Sequence, residues 1–320
     1  MNLPIADEEV RTPRTPSEHQ VDPMKLDFFV IGTQKGGSTF LLNCLREHPD
    51  IYMPATEVSF FEDAFYDPDR LDEFEAWFTP AADGQVLGVK RPDMLGHPEF
   101  PRRIHGHYPD LKHIAILRDP IERAVSAYYH YMSARFIPMV PIEEGLRIII
   151  EGGWKEHPRA HQVVDFGFYD RHLTGLEAYY PRDRISVLVF ESIKRDPAEA
   201  LAQLYRFIGV ADDFKAPSLD SRPMKAPYSP MLVRYNRATS PLVHRWSESG
   251  GFQLKRTNPV SRLLRYPIGL GRNMLGKILP DPGRPRLSPS LHQSLREIYR
   301  ADTEALEQRL GQDLSGWKGS

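Results

Sequence analysis

Residues 26–49 read LDFFVIGTQKGGSTFLLNCLREHP, and the fold turns on this stretch. Residues 26–31 form a short apolar run closed by Gly32, the pattern of a parallel strand buried on both faces. Gly32, Gly36 and Gly37 make a tight turn. From Ser38 onward, Phe40, Leu41, Cys44 and Leu45 fall on one face of a helix, and Pro49 lies just beyond its end. The unit is a strand, a glycine-rich loop and a helix.

Working outward, the same alternation recurs. Apolar runs at 86–90 (VLGVK), 113–117 (HIAIL) and 184–190 (RISVLVF) predict strands. Helices are expected over 122–132, after Arg118-Asp119-Pro120, and over 197–208. Strands alternating with helices specify an α/β, P-loop-like three-layer sandwich, a central parallel sheet flanked by helices. Ligands in such folds sit at the carboxyl ends of the strands. An amphipathic helix at about 289–310 closes the chain. Residues 1–25 are polar and proline-containing and read as a flexible leader, and 26–320 reads as one domain. Residues 221–280 hold eleven Lys or Arg against Glu248 as their one acid, an excess of +10 in a chain whose net charge is −2. This stretch is expected to be a basic, substrate-side insertion. Within it, Pro267, Gly269 and Gly271 argue against one smooth helix across 261–279.

With 320 residues, 41% hydrophobic and 26% charged, the chain is an ordinary globular protein. Its near-neutral charge gives no reason to expect a nucleic-acid partner. One cysteine, Cys44, excludes a disulfide framework and disfavours a cysteine-based metal site. The twelve histidines form no spaced ligand set. His48 before Pro49 reads as a helix-end residue, and His130 as a packed or capping one. No apolar run approaches the roughly 20 residues that span a bilayer. The first residues lack the apolar core of a secretion signal, so a cytoplasmic location is expected.

The loop at 32–39 carries the chemistry. Glycines let consecutive backbone N–H groups converge on an anion, and the helix start adds its positive end. Lys35 adds a full charge; Ser38 and Thr39 add hydroxyls. The competing reading is a simple turn with Ser38 capping the helix. The pattern departs from the nucleotide-triphosphatase loop, in which Lys directly precedes Ser/Thr so that the hydroxyl holds magnesium. Here two glycines separate Lys35 from Ser38, and the strand at 113–117 runs into Arg118 with no acidic residue. Phosphate binding without a metal is the expectation.

TQKGGST after an apolar strand, followed by LRDPIERAVSAYYHY at 117–131, resembles the PAPS-dependent sulfotransferases, which use 3′-phosphoadenosine 5′-phosphosulfate. The likeness is greatest to the heparan sulfate N- and 3-O-sulfotransferase branch and runs from about Asp27 to Trp317, weakly in the middle. It implies that Lys35, Gly36, Gly37, Ser38 and Thr39 hold the 5′-phosphosulfate of PAPS, and that Arg118 and Ser126 hold the 3′-phosphate. It also implies that Glu57, in PATEVSFFED, is the catalytic base, and that Lys90, in VKRP, stands near the reacting group. Arg91 replaces a family threonine there. Tyr169, in Gly167-Phe168-Tyr169, resembles a tyrosine near the cofactor. Gly283 and Arg284 resemble part of a loop over it, with Pro282 where the family has lysine. The disulfide common near that loop is impossible with Cys44 alone.

Sulfuryl transfer is an in-line displacement in which positioning and charge stabilisation dominate. Glu57 would take the acceptor's proton, while Lys35 and Lys90 neutralise the leaving phosphate. The resemblance implies a hydroxyl or amine acceptor of carbohydrate type. The basic region suits an anionic acceptor, or a lipid-linked one met at a membrane surface. Oligomeric state is left open. A P-loop kinase and a non-catalytic nucleotide-binding protein are the rival readings. The misplaced lysine speaks against the first, and Lys35, Glu57, Lys90, Arg118 and Ser126 occurring together speak against the second.

Overall fold

The computed structural model describes residues 24–63, 65–220, 228–246, 253–256, 258–280 and 282–319. The expected leader therefore lies almost wholly outside the described residues, as do Arg222, Lys225 and Glu248 of the basic region.

Five strands form the main sheet: β1 (Phe28–Gly32), β2 (Ile51–Tyr52), β3 (Val86–Lys90), β4 (Lys112–Leu117) and β5 (Ile185–Val189), in the order β2-β3-β1-β4-β5. Every pairing is parallel, with Val30 opposite both Lys90 and Ile114. Around the sheet lie α1 (Ser38–Glu47), α2 (Leu71–Glu75), α3 (Phe100–His107), α4 (Pro120–Ser133), α5 (Ile142–Ile150), α6 (Gln162–Asp165), α7 (Tyr169–Glu177), α8 (Phe190–Arg195) and α9 (Pro197–Ile208). Then follow α10 (Pro230–Val243), a hairpin of β6 (His244–Trp246) and β7 (Gln253–Lys255), α11 (Pro259–Ile278), α12 (Pro289–Leu310) and α13 (Ser315–Gly319).

The period-two geometry of a strand sorts β1 into two cores. Phe29 and Ile31 pack with Phe61, Phe74, Phe100 and Leu173 on one face. Phe28 and Val30 pack with Leu41, Cys44 and Leu45 of α1 and Leu204 of α9 on the other. This is the expected three-layer α/β sandwich. Sequence and structure agree on β3 and α12 at both ends. They agree on β1, β4 and β5 to within two residues. β2 was not anticipated, because two residues are too short to show a period. α4 starts as its sequence asks: the Asp119 carboxylate accepts from Ile121 N at 2.8 Å and Glu122 N at 2.9 Å, with Pro120 in the first turn.

One expectation is corrected. Pro267, Gly269 and Gly271 do not break the basic segment, which runs as the single 20-residue helix α11 with Pro267 inside it. The cause is packing against α10. Tyr235 Oη donates to the Ile268 carbonyl at 3.0 Å, and Gly271 leaves the room for it: a Cβ there would stand 2.4 Å from that hydroxyl. Tertiary contact outweighs local propensity here.

Candidate active site

The loop after β1 is folded tightly against its neighbour strand. Thr33 N donates to the Ile116 carbonyl at 2.8 Å, and Gly36 N to the Thr33 carbonyl at 2.9 Å, folding the loop against β4. A Cβ on Gly36 would stand 2.4 Å from the Ile116 carbonyl oxygen, and one on Gly37 2.4 Å from the Phe190 ring. Gly37, at φ 92°, occupies the N-cap of α1 with no side-chain hydrogen bond. Ser38 is the first residue of the helix, so the cap position falls to Gly37. Thr39 lies exposed in the first turn.

Lys35 sits at the centre in the left-handed region, φ 67°, which a side chain adopts only when its surroundings demand it. Burial lowers its pKa first, and the charges of Arg118, Arg272 and Lys90 add to the effect against a weaker opposing pull from Asp93. Lys35 therefore lies within electrostatic range of three other cations, an environment that favours an anion beside it. The preceding Gln34 is pinned from below. Its Nε2 donates to Asp93 at 3.0 Å, and Asp93 accepts from Arg159 at 2.5 Å. Burial alone would raise the pKa of Asp93, but Arg159 and Arg91 hold it well below the usual carboxylate range. Asp93, Arg159 and Gln34 carry no local motif; residues far apart in sequence meet only in the fold.

Beside the loop, at the carboxyl end of β3, stands Lys90. Its Nζ lies 3.0 Å from one Glu57 oxygen, and Arg91 Nη1 lies 3.2 Å from the other. Lys90 is nearly buried while Glu57 keeps about a third of its side chain exposed, at 36%. Arg91 also pairs with the buried Glu62, whose pKa burial raises against the pull of Arg91. The Glu57 segment is anchored at both ends. Arg46 of α1 donates to the Pro54 carbonyl. The Phe60 and Phe61 rings pack on Phe74, with centroids at 5.6 and 5.1 Å. The Glu-x-x-Phe-Phe spacing therefore pairs a carboxylate with its own hydrophobic anchor.

On the other side of the loop, at the end of β4, Arg118 donates to the Glu122 carboxylate through Nε at 3.0 Å and Nη2 at 2.6 Å. Arg284 pairs with the other oxygen of that carboxylate. Burial works against ionisation of Glu122, but its hydrogen bonds from Arg284 and Arg118 hold it below the usual range. Glu122 and Ser126 lie four residues apart on one face of α4, and Arg118, just before the helix, reaches that face through Glu122. Ser126 is buried. Tyr169 is buried as well, and its hydroxyl donates to the Arg118 carbonyl at 2.7 Å; it props the strand end from behind. Gly283, at φ 69°, turns the chain just before Arg284. His48 sits where a helix-end residue belongs, accepting from Asp50 N at 3.1 Å. His130 lies in range of the Lys35 and Arg272 charges, and burial, followed by Lys35, lowers it to about 3, so it is neutral near pH 7.

The arrangement is that of a group-transfer enzyme acting on an anionic donor: a cation cluster at the carboxyl ends of a parallel sheet, with an ion-paired carboxylate beside it. The sulfotransferase domain family matches residues 25–220, and the chain belongs to that family. Heparan sulfate glucosamine 3-O-sulfotransferase 6 of Mus musculus is 28% identical over 293 residues, covering 90% of this chain and 72% of its own length. Heparan sulfate glucosamine 3-O-sulfotransferase 3B1 of Homo sapiens is 30% identical over 191 residues, 57% of this chain and 45% of its own. A crystal structure of a sulfotransferase from Alicyclobacillus acidocaldarius superposes with a TM-score of 0.64 at 21% identity, over 92% of this chain and 99% of that one, a likeness of fold. The protein is a PAPS-dependent sulfotransferase.

Proposed function

We propose that the enzyme sulfates a hydroxyl or amine of a carbohydrate acceptor, with Glu57 as the base and Lys35, Lys90, Arg118 and Ser126 as the donor-holding set. The observation that carries this reading is the juxtaposition across β1 and β3. Lys90 lies in register with Val30, two residues before the loop begins, and its ammonium holds Glu57 at 3.0 Å. Base and phosphate loop are therefore neighbours on one sheet edge.

The residues present fit PAPS. The cation set has two ends: Lys35 with its glycine loop, and Arg118 with Ser126 on α4. A donor bearing a 5′-phosphosulfate and a separate 3′-phosphate matches two ends better than a single phosphate does. When bound, PAPS supplies the sulfuryl group and the bisphosphate that leaves. The chain's own residues do the rest. Glu57, partly exposed, accepts the proton of the acceptor hydroxyl or amine. Lys35 and Lys90 counter the negative charge growing on the leaving phosphate oxygen. The glycine loop and the α1 N-terminus orient that phosphate through backbone N–H groups. Relatives named for 3-O-sulfation of heparan sulfate glucosamine support a sugar hydroxyl as acceptor.

Calorimetric titration of adenosine 3′,5′-bisphosphate into wild type and Arg118→Ala, in the presence of chelator, tests the assignment. Losing a charge-assisted contact costs about 1.5–3 kcal/mol, roughly one to two powers of ten in affinity. Absence of binding to the wild type would overturn the reading of the loop.

A further inference from the structure

Helix α11 carries three faces. One is half-buried and packs against α10: Leu264, Ile268, Gly271 and Leu275 recur at intervals of three and four. The next is basic, with Arg262, Arg265 and Arg272 all exposed; Lys277, also exposed, stands seven residues from Leu270 at the border of the third. The third is apolar and faces solvent. Leu263 is 77% exposed, Leu270 49%, Met274 53% and Ile278 72%, again at helical spacing, with Val260 and Tyr266 beside them. Residues 258–280 contain no Asp or Glu. No helix among the described residues is long and apolar enough to cross a membrane.

Three occupants of the apolar stripe can be weighed by charge. A second copy of the chain would bring the same acid-free, basic helix against itself. A soluble polyanion would engage the arginines and leave the leucines wet. An anionic lipid surface uses both, since its headgroups take the basic side chains and its acyl boundary takes the apolar stripe. We infer that α11 lies on an anionic lipid surface through Leu263, Leu270, Met274 and Ile278, with Arg262 and Lys277 on its headgroups. Arg272, on the same helix, acts on Lys35 and His130 in the active site. Docking therefore brings the lipid to the helix whose Arg272 charge is felt at Lys35, and an acceptor held there is offered to that side of the molecule. That last clause alone rests on the sulfotransfer reading.

The test is co-sedimentation of the full chain with vesicles of phosphatidylglycerol and phosphatidylcholine, and with phosphatidylcholine alone. Binding is expected to the first and to be at least about tenfold weaker to the second. Leu263→Glu with Leu270→Glu, at exposed positions, should lower binding at least about tenfold while affinity for adenosine 3′,5′-bisphosphate is kept. Arg262→Ser with Lys277→Ser should lower it about as much and preserve the apolar stripe. A wild type that ignores anionic vesicles, or an apolar-face variant that binds them undiminished, overturns the inference. So does a wild-type dimer that the Leu263/Leu270 variant splits. Loss of bisphosphate binding by the wild type would strike the sulfotransferase reading and leave the vesicle result standing.

Discussion

The carboxyl edge of the main sheet and the α10–α11 pair are both rich in positive charge, yet they treat it in opposite ways. At the sheet edge acids stand against the bases: Glu57 between Lys90 and Arg91, Glu62 on Arg91, Asp93 on Arg159, and Glu122 between Arg118 and Arg284. The apolar side chains beneath are buried. On α11 the basic residues stand beside exposed leucines with no acid on the helix. The first region is organised to hold charges at fixed positions, and the second to offer them to something outside. On the proposed reading, transfer chemistry rests on the first region and choice of setting on the second, with the Arg272 charge between them, and that division can be broken experimentally.

The largest effect belongs to Glu57. Glu57→Gln should lower turnover by roughly 10²–10⁴-fold while bisphosphate affinity, read by calorimetry, stays near wild type; undiminished turnover would remove Glu57 from its role. Asp93→Asn comes next, since it strands Arg159 in the interior. A loss of about 3–5 kcal/mol in denaturant unfolding is expected. The pH dependence has a definite sign. Asp93 is held below its ordinary value, so its contribution is complete above pH of about 3.9 and fades as pH falls toward the lowered folded value. Wild type should therefore lose stability more steeply than Asp93→Asn through that acid window.

Lys35 gives a subtler test. Its pKa is lowered by burial and by Arg118, Arg272 and Lys90, and only its ammonium form attracts phosphate. Bisphosphate affinity should decline with rising pH before an ordinary lysine, at about 10.4, would lose its proton. Lys35→Arg, whose charge persists, should delay the decline. The smallest effect lies in the second region. Gly271→Ala presses a methyl group against Tyr235 and should cost about 1 kcal/mol in stability, with bisphosphate affinity untouched. An equal loss of affinity would show that the two regions are coupled through Arg272.

The sheet was legible because buried parallel strands are short apolar runs, and β1, β3, β4 and β5 each have one. β2 has two residues and no run to read. Lys35 stood out from its glycine-rich loop and Arg118 from its place at a strand's end, whereas Glu57 and Lys90 stood out through short motifs that resemble the family's. Gln34, Glu62, Asp93 and Arg159 did not, since Asp93 lies 59 residues from Gln34 and 66 from Arg159 and no short window contains their network. The course of α11 was hidden for a related reason. Its proline and glycines read as breakers until Tyr235, from another helix, explains the space that Gly271 leaves.

The carboxylate of Glu122 is claimed by Arg118 and Arg284 together. If those arginines receive the 3′-phosphate, as the proposed assignment has it for Arg118, the pocket never stands open as bare positive charge. Recognition becomes an exchange, in which an arriving group must displace a resident one with two holders. A dianion that offers three oxygens can win that exchange, whereas a stray chloride or a single carboxylate gains little over what is already there. The protein would then carry its own dummy ligand, and the threshold for occupancy would be written into one glutamate.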